Sequence, residues 1–259
     1  MLKYFDIHSH TQFSAYDSDR EEVMKRALLA GVGSINVGTQ KKTSLDAVEL
    51  AHKYPEGVYA CIGLHPIHTH EDGSYLDDLE TAFPSVENDF DYDFYKKLAL
   101  DPKVVAIGEC GLDFFHLDEG SKEKQIEIFE KHIELSLDVD KPLMLHVRNA
   151  YKDVLDILEE YKKKYGEKLR GNVHFFAGDL ETSKKFLDLG FTLSFTGVIT
   201  YPKSKKPGMP DYEEIIKNTP IEMIMSETDA PYVAPVPYRG KRNEPFYVIE
   251  TIKKIAEIK

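Results

Sequence analysis

Short apolar runs alternate with longer amphipathic stretches along the whole chain. Eight of the runs are short and rich in β-branched or other apolar residues, as buried strands are. Runs of this kind, separated by helical stretches, are typical of a parallel sheet with crossover helices. The eight predicted strands span residues 4–8, 34–38, 58–63, 104–108, 143–146, 172–174, 192–195 and 223–226.

The stretches between these strands carry apolar residues at helical spacing. In 122–139, for example, Ile126, Phe129, Ile133 and Leu137 recur every three or four positions and form one buried face. The chain has 259 residues, close to the ~250 that a (β/α)8 barrel usually needs. We therefore expect an α/β fold, a single TIM barrel over residues 1–259. The predicted helices span residues 20–30, 44–54, 122–139, 151–165, 182–189 and 245–258.

One stretch interrupts the alternation. Almost forty residues separate His65 from Val104, and many of them are acidic. We interpret 69–91 as a loop excursion over the barrel mouth, followed by a helix over 92–100. Loops of this length are uncommon unless they are functional, so it is either a lid or an insertion without catalytic consequence. His68 and His70 are expected to be exposed loop histidines.

Composition and charge narrow the class of protein. Hydrophobic residues make up 42% of the chain, and no apolar run is long enough to span a bilayer. Cys61 and Cys110 are expected to be buried, reduced thiols in a cytoplasmic protein, with no membrane partner. The net charge of −12 argues against sequence-independent adhesion to nucleic acid over the whole surface, but not against a phosphate substrate at one site.

Polar residues stand at the carboxyl ends of the predicted strands. His8 and His10 alternate with Ser9, so both imidazoles lie on one side of the first strand. The carboxyl ends of the strands are where barrels of this type build their active sites. Imidazole and carboxylate together suit divalent cations such as zinc, manganese or cobalt. The predicted metal ligands are His8, His10, Glu109, His146, His174 and Asp229.

The strand order predicts two ions. His8, His10 and Asp229 come from strands one and eight, which adjoin in a closed barrel, whereas His146 and His174 come from strands five and six. Glu109 can use both carboxylate oxygens and is the predicted bridge. Two ions about 3.5–4 Å apart would polarise a phosphoryl oxygen and activate a water. Asp229, besides holding an ion, is placed to take the proton of that water.

Three further residues are candidates for substrate contacts. The forked guanidinium groups of Arg148 and Arg239 match phosphate geometry, although a structural salt bridge would explain either arginine as well. His65 could hydrogen-bond a phosphate or orient a metal-bound water.

Seven motifs resemble the TatD-type metal-dependent deoxyribonucleases of the amidohydrolase-like superfamily. They are DIHSH at 6–10, GLHP at 63–66, GECGLD at 108–113, HVR at 146–148, VHF at 173–175, ETDAPY at 227–232 and PYRGKRNEP at 237–245. The resemblance covers nearly the whole chain and implies a TIM barrel that binds one to three divalent ions, such as Mg, Mn, Zn or Co. It implies hydrolysis of DNA phosphodiesters, and we expect 3′–5′ exonuclease action on single-stranded DNA or DNA ends.

The chain also departs from the family pattern. Where the family shows His-Cys-Phe, this chain has His174, Phe175 and Phe176. The excursion is longer and more acidic than usual, so the substrate range stays open. One alternative keeps the site but cleaves an ester bond, as a D-aminoacyl-tRNA deacylase does. Another is a non-catalytic, metal-stabilised binding module. The oligomeric state is not predicted.

Overall fold

The computed structural model describes residues 1–69, 79–80, 89–115, 121–203 and 208–259. Most of the predicted excursion over 69–91, including His70, lies outside the described residues. The predicted 69–91 loop is therefore testable only at its two ends and at Leu79 and Glu80.

Eight parallel strands follow one another in order around a barrel. Each strand pairs with the next along the chain, and helices connect them, so the predicted (β/α)8 TIM barrel is confirmed. The strands are β1 Tyr4–Ser9, β2 Val32–Val37, β3 Val58–Ile62, β4 Val104–Asp113, β5 Leu143–Arg148, β6 Gly171–Val173, β7 Phe191–Phe195 and β8 Ile224–Ser226.

The barrel closes between β8 and β1 mainly through the segment that follows β8. Ser9 and Ala230 form an isolated parallel bridge. The backbone N–H of Asp229 donates to the carbonyl of His8 at 2.9 Å. Asp6, fully buried on β1, accepts hydrogen bonds from the backbone and hydroxyl of Thr228 at 2.9 and 2.5 Å. These bonds fix Asp229 beside the His8–His10 pair.

The helices match the amphipathic stretches to within a few residues, with two differences. A short helix over Tyr212–Asn218 was not predicted, and the predicted 245–258 helix begins with a 3-10 turn over Pro245–Tyr247. The helices are α1 Arg20–Leu29, α2 Lys41–His52, α3 Tyr92–Ala99, α4 Ser121–Val139, α5 Tyr151–Tyr165, α6 Leu180–Asp188, α7 Tyr212–Asn218 and α8 Val248–Ile258.

β4 is longer than the sequence predicts, and this changes what the strand presents. We expected it to end at Gly108, but it continues through Glu109 to Asp113. Gly111 pairs with His146 on β5, and a Cβ at Gly111 would lie 2.1 Å from the carbonyl oxygen of His146. Only glycine permits this approach, which holds Glu109 and His146 side by side.

The core lies between the barrel wall and the surrounding helices. Cys61 and Cys110 are buried and unpaired thiols, as expected. Among the described residues, no helix combines the length and apolar character needed to cross a membrane.

Candidate metal centre

The predicted ligands meet at the carboxyl end of the barrel. They line or underlie a cavity of about 470 Å³, within the roughly 300–1,000 Å³ typical of small-molecule sites. Glu109 stands within β4, and His146 within β5, whereas His174 follows β6 directly. The structure therefore brings together all six predicted ligands, which the sequence spreads over more than two hundred residues.

Glu109 lies between two groups of imidazoles and directs one oxygen to each. Its Oε2 is 3.3 Å from Nε2 of His8 and 3.8 Å from Nε2 of His10. Its Oε1 is 3.0 Å from Nδ1 of His146 and 3.6 Å from Nε2 of His174. One carboxylate thus serves both sides of the centre, the geometry that a bridging ligand requires.

Asp229 lies beside His8 of β1 and His10, which directly follows that strand. Its Oδ1 is 3.6 Å from Nε2 of His10 and 3.9 Å from Nε2 of His8. The two histidine nitrogens lie 3.1 Å apart. Asp229 is also 4.0 Å from Nε2 of His174, so this imidazole stands within reach of both groups.

The hydrogen bonds at the far ring nitrogens orient the ligating ones. Nδ1 of His10 donates to the carbonyl oxygen of Val37 at 2.7 Å, which leaves its Nε2 lone pair directed at the centre. Nδ1 of His174 faces Glu227 Oε2 at 3.1 Å, and Nε2 of His146 faces Asp113 Oδ2 at 3.0 Å. Carboxylate–imidazole pairs of this kind are the usual support of metal-bound histidines.

The charges at the centre shift the pKa values of its imidazoles in different directions. Burial alone would lower the pKa of each imidazole, but Glu227 and Glu109 outweigh burial at His174 and raise its pKa to about 10. Carboxylates likewise raise the pKa of His10 and of His146. Burial and the neighbouring His174 instead lower the pKa of His8 to about 3. Protons on these imidazoles therefore balance the charge of the carboxylates, a role that divalent ions can take over.

The carboxylate of Glu109 is ionised at neutral pH. Burial would raise the pKa of Glu109, but the imidazoles of His65, His8 and His174 outweigh it and hold the pKa well below 4.5. An anionic bridge and converging ring nitrogens form a donor set that fits divalent ions of borderline softness.

A backbone hydrogen bond determines the tautomer of His65. Its Nδ1 accepts the backbone N–H of Ile67 at 3.0 Å, so the proton of the neutral ring resides on Nε2. That Nε2 lies 3.4 Å from Glu109 Oε1. Although His65 is close enough to Glu109 and His146 to complete a metal triad, its protonated nitrogen makes it a hydrogen-bond donor to this site.

The two predicted arginines occupy different places. Arg148 lines the cavity, is exposed, and stacks its guanidinium on the ring of Phe115 at 3.7 Å. Arg239 does not line the cavity; its guanidinium stacks on the ring of Tyr201 at 4.4 Å. Within the described part of the chain neither arginine has a carboxylate partner, so the salt-bridge explanation gains no support.

Among the described residues of the excursion, Glu80 lines the cavity, which the sequence did not reveal. Glu80 is buried, lines the cavity, and accepts hydrogen bonds from Thr39 and from Gln40 Nε2, the latter at 2.9 Å. Its carboxylate also faces Nε2 of His68 at 3.0 Å. The expectation that His68 is an exposed loop histidine is wrong, because this pairing buries its ring almost completely.

Phe175 stands in the cavity wall with unusual backbone geometry. Its φ of 44° lies in the left-handed region, which costs a bulky residue roughly 1–2 kcal/mol. The backbone N–H donates to Glu227 Oε1 at 2.6 Å, so the carboxylate that orients His174 also holds this turn. The ring is half-buried and packs edge-on against His174, with centroids 5.9 Å apart.

Sequence reasoning missed Asp113 and Glu227 as supporting residues. Both stand inside the quoted motifs, four and two residues from a predicted ligand, but their partners are on other strands. The position of Glu227 two residues before Asp229 in the same motif was a signal, although the φ of 56° at Asp229 breaks the alternation of an extended segment. No pattern in the sequence indicated Glu80.

The comparisons with known proteins agree with this geometry. The family model described as TatD related DNase matches residues 5–259. An uncharacterized metal-dependent hydrolase of Bacillus subtilis (strain 168), YabD, is 38% identical over 98% of this chain and 91% of its own. Another named in the same way, YcfH of Escherichia coli (strain K12), is 32% identical over 98% of this chain and 87% of its own.

Solved structures show the same relationship. YjjV, described as a TatD homologue from Escherichia coli K12, superposes with a TM-score of 0.80 at 26% identity, covering 98% of this chain and 90% of its own. An organophosphorus hydrolase mutant, at 11% identity and a TM-score of 0.59, shares the fold alone. The matched length and the order of the site residues lead to one conclusion: this chain belongs to the TatD related DNase family.

Proposed function

We propose that this protein is a divalent-metal-dependent hydrolase that cleaves phosphodiester bonds of single-stranded DNA or DNA ends. The observation that carries the proposal is the placement of Glu109, whose two oxygens face imidazoles on opposite sides of the centre. The names of the relatives, all metal-dependent hydrolases, and the family description support it.

Two divalent ions fit the donor set. His8, His10 and Asp229 would hold one ion, and His146 and His174 the other, with Glu109 between them. Bound there, such ions supply Lewis acidity for a phosphoryl oxygen and lower the pKa of a water. Mg, Mn, Zn and Co are the candidates, and a third ion is compatible with the carboxylates near His146.

The chain's own groups supply orientation and proton transfer. Asp229 lines the cavity, and its carboxylate would accept the proton of the attacking water as a general base. The Nε2–H of His65 is directed to the same cavity and donates to a phosphoryl oxygen as negative charge develops there. Arg148, whose guanidinium stacks on Phe115, would donate to a phosphate at the rim.

The cavity favours a strand end over a duplex. Its volume of about 470 Å³ admits one nucleotide, and the metal ligands lie at its floor. Arg148, which lines the cavity, is a local cation on a chain of net charge −12, as expected if the substrate anion is bound at one place only.

The test is hydrolysis by protein that has been stripped of metal and then reloaded. A 5′-labelled single-stranded oligodeoxynucleotide is incubated with Mg, Mn, Zn or Co, and stepwise release of mononucleotides from the 3′ end is expected. Glu109→Gln is the control for contaminating nuclease. No cleavage with any of these metals, in protein shown to bind them, would overturn the proposal.

The same preparation separates the alternatives. Hydrolysis of an aminoacyl ester in preference to the oligonucleotide would identify a deacylase. A binding module would hydrolyse neither, and Asp229→Asn would then change metal affinity or thermal stability alone.

A further inference from the structure

The cavity has two walls of different character, on opposite sides of the metal centre. Because the strands follow in order around the barrel, β1 lies across from β5. On the β1 side Phe13 is almost fully buried and stacks on His10 at 4.5 Å. On the β5–β6 side Val147, Phe175 and Ala177 line the cavity, and we call these three residues the Phe175 wall.

Among the described residues that line the cavity, Phe175 and Tyr232 are the half-buried phenyl and phenol rings, and Phe175 is the one that directly follows a predicted metal ligand, His174. The face of Phe13 is already stacked on His10, and Tyr232 approaches that imidazole edge-on, with centroids 6.4 Å apart. The ring of Phe175 touches His174 by a T-shaped contact and is otherwise half-buried at the cavity. Its position therefore has room for a planar group beside the metal ligands.

Packing does not explain why a large ring stands at this position. A left-handed backbone, as at Phe175, is disfavoured for a side chain of this size, and burial of the ring is incomplete. Phe176, the next residue, already fills the core behind it. Strained residues of this kind, held by the surrounding structure, cluster at active sites and ligand sites.

From this geometry we infer that Phe175 is a specificity-determining residue that stacks on the nucleobase adjacent to the scissile phosphodiester. The inference rests on the proposed function and names its substrate more closely: a nucleotide unit with its base in place, at a strand end. The phosphate then lies over Glu109 and Asp229, and the base lies along the Phe175 wall. Aromatic stacking is tolerant of sequence, so all four bases are accepted.

The experiment compares substrates with and without a base. Thymidylyl-thymidine is tested beside two analogues in which the base of one or the other nucleoside is replaced by hydrogen. In the wild-type protein we expect one of these analogues to lose about tenfold in kcat/KM, as the loss of one base–aromatic stack implies. In Phe175→Leu this discrimination should disappear, whereas Phe175→Tyr should retain it.

Two controls separate stacking from structural damage. Phe94 on α3 is also half-buried but lies outside the cavity, so Phe94→Leu should keep the wild-type ratio. Metal content and melting temperature are measured for every variant, because the backbone N–H of Phe175 donates a hydrogen bond to Glu227, the residue that orients His174. Equal kcat/KM for all three substrates in the wild type, or a ratio unchanged by Phe175→Leu, would overturn the inference while leaving phosphodiester hydrolysis intact.

Binding provides a readout that does not need turnover. Calorimetry on metal-loaded protein with thymidine 5′-phosphate and deoxyribose 5-phosphate should show about tenfold tighter binding of the nucleotide, lost in Phe175→Leu. If phosphodiesters are not cleaved at all, the proposed function fails, and this measurement still decides whether Phe175 binds a base. Equal affinity for the two phosphates would reject the stacking role.

Discussion

Glu227 Oε2 lies 3.1 Å from Nδ1 of His174, and the other oxygen of the same carboxylate accepts the backbone N–H of Phe175. Ser194 Oγ also donates to Oε2 at 2.8 Å, so the fully buried carboxylate has partners at both oxygens. This arrangement fixes the ring of His174 and directs its Nε2 at Glu109 and Asp229.

We therefore expect Glu227→Gln to weaken metal binding about 10- to 100-fold, because an amide offers one acceptor where three donors converge. Titration with Zn or Mn, followed by calorimetry, measures the loss. Glu222→Gln is the matched control, because it makes the same substitution at an exposed position five residues earlier. This variant should bind metal as the wild type does. Unchanged affinity in Glu227→Gln would show that His174 needs no such support.

The bridge predicts different stoichiometries for two single substitutions. Glu109→Gln removes an anionic ligand from both groups of imidazoles, so we expect weak binding of both ions. Asp229→Asn affects the side of His8 and His10, and one ion should stay bound between Glu109, His146 and His174. Metal content per chain after dialysis distinguishes the variants. Equal loss in both would contradict the assignment of Asp229 to one side.

Metal binding should release protons near neutral pH. The pKa of His174 is raised to about 10 by Glu227 and Glu109, and the pKa values of His10 and His146 are raised as well. A ligating imidazole must be neutral, so binding at pH 7 should displace about one proton or more per chain. Calorimetry in buffers of different ionisation enthalpy counts them. Metal affinity should therefore increase with pH and fall in acid. Heats of binding that do not depend on the buffer would contradict the release of protons.

Glu80 ties the excursion to the barrel, and its loss should show in stability. Its backbone carbonyl accepts the N–H of Ser14 at 3.1 Å, and its carboxylate faces Thr39, Gln40 and His68. Removing one partner of a buried charged network costs roughly 1–3 kcal/mol. We expect Glu80→Gln to lower the free energy of unfolding by this amount and to speed hydrogen exchange at Ser14.

The stabilisation by Glu80 should depend on pH. Burial would raise the pKa of Glu80, but the hydrogen bond and charge of His68 outweigh it and lower the pKa below 4.5. A depressed folded pKa contributes stability above the unfolded pKa, and this contribution is lost as the pH falls through the folded value. The difference between wild type and Glu80→Gln should therefore shrink below about pH 4.5. If the difference in the free energy of unfolding stays constant down to pH 3, the charge of Glu80 is not its cause, and altered packing of the side chain explains it.

The sequence was sufficient to predict the barrel and to bring the candidate ligands together at one mouth, for a physical reason. Strands buried on both faces are continuous apolar runs, and a parallel barrel gathers their carboxyl ends at one mouth. Glu109, His146 and His174 could therefore be expected to lie together without coordinates. Glu80 and His68 could not, because their contact depends on the path of a long excursion. Asp113 was missed because β4 continues five residues beyond its predicted end, which depends on the close approach at Gly111.

His65 separates catalysis from metal binding most sharply. Because its Nδ1 accepts the N–H of Ile67, its Nε2 carries the proton and cannot ligate an ion. His65→Gln should therefore retain both ions, with unchanged metal content, while kcat falls about 100-fold through loss of a donor to the developing charge. His132→Gln serves as a comparison for the loss of a buried imidazole, since His132 accepts the N–H of Leu64 outside the cavity. If His65→Gln instead loses an ion, the tautomer is reversed and His65 belongs to the metal shell of Glu109 and His146.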